Sequence, residues 1–252
     1  MGEPSAAKQV EILVIQPDVL DPLDRLMEWL DHEALKITLV KPFEGDKIPT
    51  VLLTEGLIVL GGSMNANADE IFPCLEDIRN LYRQAVAQNI PALGICLGAQ
   101  ILATAFGGQV TVGAPEGPEY GVVEVEWTQE AEADEIFRGL HEPFLACAFH
   151  FDGITQLPST AVRLGTGNRY PNQAFRQGSA WGVQFHPEVS PKQFELWLES
   201  AKNDDSMNDW KVEETLAEIK RVDSTIQQHQ QLLAQRFVQK VLNDVLTEAS
   251  TQ

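Results

Sequence analysis

Cysteine is scarce: Cys74, Cys96 and Cys147 are the only three in 252 residues. A small, odd set argues against a disulfide framework and fits a reducing compartment. Its spacing matches no zinc pattern. The chain also lacks any apolar run near the roughly 18 residues that a membrane-spanning helix requires. Residues 1–10 lack the basic stretch followed by an apolar one that marks a secretory signal. A cytoplasmic protein with no membrane association is therefore expected. Basic residues are few as well. Against 37 Asp and Glu stand 18 Lys and Arg, a net charge of −19. Such a surface repels nucleic-acid phosphates and disfavours an anionic membrane. Its plain consequence is solubility. Neither a metal nor a cofactor is expected.

What is present suits a core-building chain. Apolar residues make up 44% and charged residues 22% of it, ordinary values for a globular protein of this length. Val10–Ile15, Ile37–Val40, Gly56–Leu60 and Pro91–Cys96 are short apolar runs and read as buried strands. Helical spacing places helices over Pro22–His32, Cys74–Gln88 and Leu97–Phe106. Strands alternating with helices predict an α/β fold: a three-layer, open, mostly parallel sheet with flanking helices. After Gly107-Gly108 the pattern changes. Tyr120–Trp127 alternates like a half-exposed antiparallel strand, and a short helix is expected over Glu130–Phe137. Further strand candidates are Phe144–Phe149, Ala161–Gly165, Gln173–Arg176 and Ala180–Phe185, a small antiparallel addition. A helix begins at Pro191. From Asp204 onward two apolar stripes occur, Val212 to Ile226 and Leu232 to Leu246, and stripes of this kind usually pack on their own domain. The expected organisation is one domain over 1–200 and a helical extension over 201–252 packed on it, with a hinge at Asn203–Ser206.

The chemistry centres on Pro91-Ala92-Leu93-Gly94-Ile95-Cys96-Leu97-Gly98-Ala99-Gln100. An apolar strand meets a cysteine with glycine two residues before and two after, and a helix follows at once. This is the wiring of a nucleophile elbow. The strained turn needs neighbours without bulk, which glycine provides, and the helix N-terminus favours a thiolate. A cysteine nucleophile needs a base. Of five histidines, His32 falls on a surface helix, His141 in a turn and His229 in the polar tail. His150 and His186 each end an apolar strand. Glu188 lies two residues beyond His186, where a carboxylate could orient the imidazole. The glycine-rich loop from Gly61 also follows a strand, so it can face the same site.

Gly94-Ile95-Cys96-Leu97-Gly98-Ala99-Gln100 resembles the G-x-C-x-G-x-Q signature of class I glutamine amidotransferases, and Phe185-His186-Pro187-Glu188 resembles that family's closing motif. Leu60-Gly61-Gly62-Ser63 is similar to its oxyanion-loop segment. The likeness runs from about Val10 to Leu198 and is strongest to stand-alone amidotransferase proteins related to GMP synthase. It implies a flavodoxin-like fold and hydrolysis of the glutamine side-chain amide, with Cys96 as nucleophile, His186 as base and Glu188 holding it. It further implies an oxyanion hole from Gly61, Gly62 and Leu97, and substrate contacts at Gln100, Phe149, His150 and Asp152. Phe149 and Phe151 depart from the family's serine and glycine. The residues after His186 are too few and too helical for a synthetase domain, so either a separate synthetase partner exists or ammonia is not the useful product. Two other readings use the same scaffold: a hydrolase of γ-glutamyl peptides passing through the same thioester, and a non-catalytic interaction protein.

Overall fold

The computed structural model describes residues 9–140, 143–201 and 210–251, side chains of 248–251 excepted. The hinge expected at 203–206 lies outside these residues. The strands in chain order are β1 (Val10–Ile15), β2 (Leu35–Val40), β3 (Gly56–Val59), β4 (Ala92–Ile95), β5 (Gln109–Thr111) and β6 (Glu119–Trp127). They continue with β7 (Phe144–His150), β8 (Gly153–Gln156), β9 (Val162–Thr166), β10 (Ala174–Gln177) and β11 (Ala180–Val183). Nine of them form one sheet in the order β2-β1-β3-β4-β11-β10-β9-β6-β7. The half from β2 to β11 is parallel. The expected antiparallel addition continues the same sheet through β10, β9, β6 and β7. The remaining β5 and β8 make a separate antiparallel ribbon; these strands are too short to show a period of two.

The parallel strands are buried on both faces, which is why they read as continuous apolar runs. In β1, Ile12 and Val14 join one core while Leu13 and Ile15 join the other. The second core is closed by α2 (Cys74–Ala87) and α3 (Leu97–Ala105), through Leu75, Ile78, Leu81, Ile101 and Leu102. The first is closed by α1 (Leu26–Trp29) and the C-terminal helix α5 (Val212–Thr251). A third cluster sits between α4 (Pro191–Ser200), β7 and the first half of α5.

Two expected helices differ. The helix expected over Pro22–His32 shrinks to α1. Asp24 adopts φ 40°, its carboxylate accepts the Ser190 N–H at 2.6 Å, and the Arg25 N–H reaches the Glu188 carbonyl at 3.2 Å. The first turn is thus tied to residues 188–190 instead of to itself. The helix expected over Glu130–Phe137 is a 3₁₀ turn, Gln129–Ala133. Asp134 is extended there, and its carboxylate takes the N–H groups of Ile136 and Phe137 and the Trp181 Nε1–H. A residue able to bond its local backbone in this way interrupts helix.

Both apolar stripes of the tail lie on α5, a single helix about 60 Å long at 1.5 Å per residue. Ile219 and Ile226 face α4 and β7, while Leu233, Phe237 and Val241 face the parallel sheet. Leu246 is 66% exposed, so the second stripe stops packing before its sequence pattern does. Polar contacts fasten the helix along its length. Asp223 receives a bidentate bond from Arg25 at 2.9 and 2.7 Å. Gln230 donates to the Leu145 carbonyl, and Arg236 donates to the Ile136 carbonyl. Among the described residues no helix is long and apolar enough to cross a membrane.

Because Phe237 is fully buried against the sheet, Phe237→Ala is expected to lower unfolding stability by about 3–5 kcal/mol. Urea titration followed by circular dichroism measures this. A loss below about 1 kcal/mol would mean that the helix is not part of the core.

Candidate active site

The turn between β4 and α3 is strained. Cys96 has φ 49° and ψ −105°, a conformation that costs a residue with a side chain on the order of 1–3 kcal/mol. Its backbone N–H is held by the Val183 carbonyl at 2.8 Å. The bracketing glycines have distinct steric reasons. A Cβ on Gly94 would lie 2.5 Å from the Tyr82 hydroxyl and 2.6 Å from the Gly98 carbonyl oxygen, and one on Gly98 would collide with the Val59 carbonyl. The Tyr82 hydroxyl donates to the Gly98 carbonyl at 2.9 Å, closing this packing.

His186 stands next to Cys96. Its backbone N–H donates to the Cys147 carbonyl at 2.8 Å, which sets its position beside β7. Its Nδ1 lies 2.7 Å from Glu188 Oε1. Both side chains are almost fully buried, at 2% and 1% exposure. Burial alone would lower the basicity of the imidazole. Glu188, Cys96 and the hydrogen bonds to both outweigh it and raise His186 well above its ordinary value. The Trp197 ring lies 4.5 Å from the imidazole. Glu188 Oε2 is buried with no hydrogen-bond partner among the described residues.

The glycine loop after β3 completes this side. A Cβ on Gly61 would lie 2.5 Å from Asp21 Oδ1 and 2.9 Å from His186 Cε1, and one on Gly62 would lie 2.8 Å from Leu97 Cδ2. Leu97 is the first residue of α3, so its N–H is among those a helix start leaves without an intrahelical acceptor. The loop is fixed by Asp18, whose carboxylate accepts both the backbone N–H and the hydroxyl of Ser63.

The opposite wall carries the remaining expected residues. Gln100 Nε2 donates to the Asp152 carbonyl at 3.0 Å and to Gln184 Oε1 at 3.3 Å. Gln184 Nε2 in turn points at Cys96 Sγ, 3.6 Å away. His150 is pinned between the Asp152 carbonyl at 2.9 Å and Glu119 Oε2 at 3.0 Å. The Asp152 carboxylate accepts the Gly113 N–H. The Phe149 ring packs edge-on against Phe194 and Trp210. Cys96, Gln100, Phe149, His150, Asp152 and His186 all line one cavity of about 330 Å³, at the small end of ligand sites.

Sequence reasoning missed three residues here. Asp21 lines the cavity beside His186; it lies in the loop after β1, where ligands of parallel sheets bind, and that position was its available signal. Gln184 shares the alternation of His186 two residues on. Trp197 lies within the helix expected from Pro191, and nothing in the sequence sets it apart there. The other histidines are elsewhere: His32 is exposed and His229 stacks on Phe144, while His141 lies outside the described residues. Asp21, His186 and Glu188 offer donor atoms within 4.8 Å of one another. A cation there would compete with the Glu188–His186 hydrogen bond.

Residues 21–200 match the family model described as glutamine amidotransferase class-I. Over 168 residues the chain is 33% identical to one of the subunits of glutamine-hydrolysing GMP synthase from Pyrococcus abyssi, covering 66% of this chain and 81% of that one. The corresponding GMP synthase chain from Methanothermobacter thermautotrophicus is 36% identical over 137 residues, covering 54% and 66%. The crystal structure of a glutamine amidotransferase from Thermotoga maritima superposes with a TM-score of 0.80 at 27% identity, covering 91% of this chain and 98% of that one.

Asp21 yields a pH prediction. Burial pushes its carboxyl up to about 7; His186 opposes this, and Glu188 and Asp18 add to it. An unfolded aspartate titrates near 3.8. Between these values the folded chain holds a proton that the unfolded chain lacks, so this group makes stability fall as pH rises from about 4 through 7. Asp21→Asn removes that dependence. The melting temperature of the variant relative to the wild type is expected to rise from pH 5 to about pH 7 and to level off above it. A pH-independent difference would show that Asp21 titrates normally.

Proposed function

Because this chain belongs to the class I glutamine amidotransferase family, we propose that it hydrolyses the side-chain amide of glutamine to glutamate and ammonia through a thioester on Cys96. The supporting observation is the grouping of Cys96 on its strained turn, His186 beside it and Glu188 on the far ring nitrogen. In the first half-reaction Cys96 Sγ, whose proton rests on His186, attacks the amide carbon. The oxyanion lies against the N–H groups of Leu97 and of the Gly61-Gly62 turn. Such a donor is worth about 3–4 kcal/mol of barrier. His186 then gives its proton to the departing nitrogen, the C–N bond breaks and ammonia leaves. In the second half-reaction His186 takes a proton from water, whose oxygen attacks the thioester carbon; the C–S bond breaks, glutamate leaves, and the proton on His186 is again shared with Cys96 Sγ. Glu188 keeps the imidazole in one tautomer and stabilises its cation.

Gln100, Phe149, His150 and Asp152 hold the amino-acid end of the substrate. Their bonds to one another and to Glu119 and Gln184 make that wall rigid before substrate arrives, and preorganisation of this kind is what site geometry requires. The two GMP synthase relatives named above are each a single chain of a multi-chain enzyme. The reading that follows is a separate synthetase chain that takes the ammonia.

A diazo-ketone glutamine analogue is expected to alkylate Cys96 alone, as read by intact mass and peptide mapping. Burial pushes the Cys147 thiol up to about 12 and also raises Cys74, so neither should compete. An adduct found only on those two would sink the assignment. His186→Ala is expected to stay folded and lose roughly 10²–10⁴-fold in kcat; unchanged turnover would move the base to His150.

A further inference from the structure

Asp21 is the ionisable group in the cavity that the proposed reaction does not use. It is 8% exposed, and its carboxylate makes no hydrogen bond among the described residues. The other titratable side chains lining the cavity are committed: His150 to Glu119, Asp152 to the Gly113 N–H, and His186 to Glu188. A buried carboxylate without a donor is expensive unless a ligand supplies one.

Its location says which part of a ligand it meets. Nδ1 of His186 is occupied by Glu188, so the proton for the leaving nitrogen comes from Nε2. Cε1 lies between the two ring nitrogens, and Asp21 Oδ1 and Cε1 flank the same point above Gly61. A substituent on the leaving nitrogen that runs past the Cε1 edge therefore arrives at Asp21. The Trp197 indole borders the same space. Its Nε1–H donates to the Leu20 carbonyl at 2.6 Å, which fixes the ring relative to the neighbouring Asp21. A carboxylate and an indole lining one cavity suit a cation, through ion pairing and cation–π attraction. The amino-acid wall of Gln100, Phe149, His150 and Asp152 lines the same cavity and adjoins these groups where Phe149 meets the Trp197 ring at 5.6 Å, so both halves of a substrate have places in one continuous site.

We propose that Asp21 and the Trp197 indole form a leaving-group subsite for a γ-glutamyl amide whose amine half carries a second, cationic amino group. This rests on the amide-hydrolysis reading for the bond that is cut. The C–N bond breaks as the thioester on Cys96 forms. The amine leaves with the proton from His186, its distal ammonium on Asp21, and water then releases glutamate. The net charge of −19 favours approach of such a cation. An amine half bearing a carboxylate, as in a γ-glutamyl amino acid, meets Asp21 with like charge.

Glutamate release by the full chain from four substrates tests this: glutamine, γ-glutamyl-n-butylamide, γ-glutamyl-1,4-diaminobutane and γ-glutamylglycine. The diamine amide is expected to exceed the butylamide at least tenfold in kcat/KM, with γ-glutamylglycine poorest. Asp21→Asn should collapse the diamine-to-butylamide ratio towards one. A ratio near one in the wild type, or an equal loss on all four substrates in the variant, would overturn the subsite and leave Asp21 as an electrostatic neighbour of His186. Binding of free 1,4-diaminobutane and n-butylamine, measured by calorimetry on both proteins, separates the subsite from the chemistry. Asp21-dependent diamine binding without turnover of any amide supports the subsite and sinks amide hydrolysis. Absence of both sinks the two together.

Discussion

The close approach of α3 to the carbonyl end of β3 governs the rest of the site. The helix begins so near the Val59 carbonyl that no side chain fits at Gly98. That contact, with Tyr82 braced against the Gly98 carbonyl, leaves Cys96 the positive φ it would not adopt freely. The turn in turn sets Leu97 beside the Gly62 loop and fixes Cys96 Sγ against His186 and Gln184. Strain is retained because the packing beneath the turn, of Gly94, Gly98, Val59 and Tyr82, is too close to yield.

Two carboxylates address one imidazole in different ways. Glu188 makes a short, directional bond to Nδ1 and so orients the ring. Asp21 reaches the Cε1 side without a hydrogen bond and acts only through its field and through whatever ligand it meets. The difference follows from connectivity. Glu188 lies two residues from His186 and is braced by the Arg25 N–H on its own carbonyl. Asp21 sits at the end of a loop after β1 that is held through its neighbours, by Asp18 on Ser63 and by the Leu20 carbonyl on Gln193 and Trp197.

The parallel half of the sheet was legible because strands buried on both faces write continuous apolar runs. The elbow was legible because its steric demands fall on residues two apart, and the His186–Glu188 pair was legible for the same reason. What escaped depends on partners far along the chain. Asp24 gives up a helical turn to hold Ser190, and Asp134 gives up another to hold Trp181. The pairing of β6 with β9 as well as β7 leaves no local mark. Asp21, Gln184 and Trp197 join the site through contacts with residues distant in sequence; a loop position after β1 and the alternation of Gln184 with His186 were the faint marks of the first two, and Trp197 carried none.

The position of α5 has a consequence for how the protein comes into being. Ile12 and Val14, in the earliest strand, are covered by Phe237 and Val241, in the latest helix. At roughly 5–20 residues per second, a ribosome needs on the order of ten seconds or more to deliver that cover. Throughout this interval one apolar face of a partly built sheet is bare in a crowded cell. A chain with this architecture therefore completes its fold only after most of it has been synthesised, and its nascent form is a natural client for chaperones that shield apolar β-surfaces.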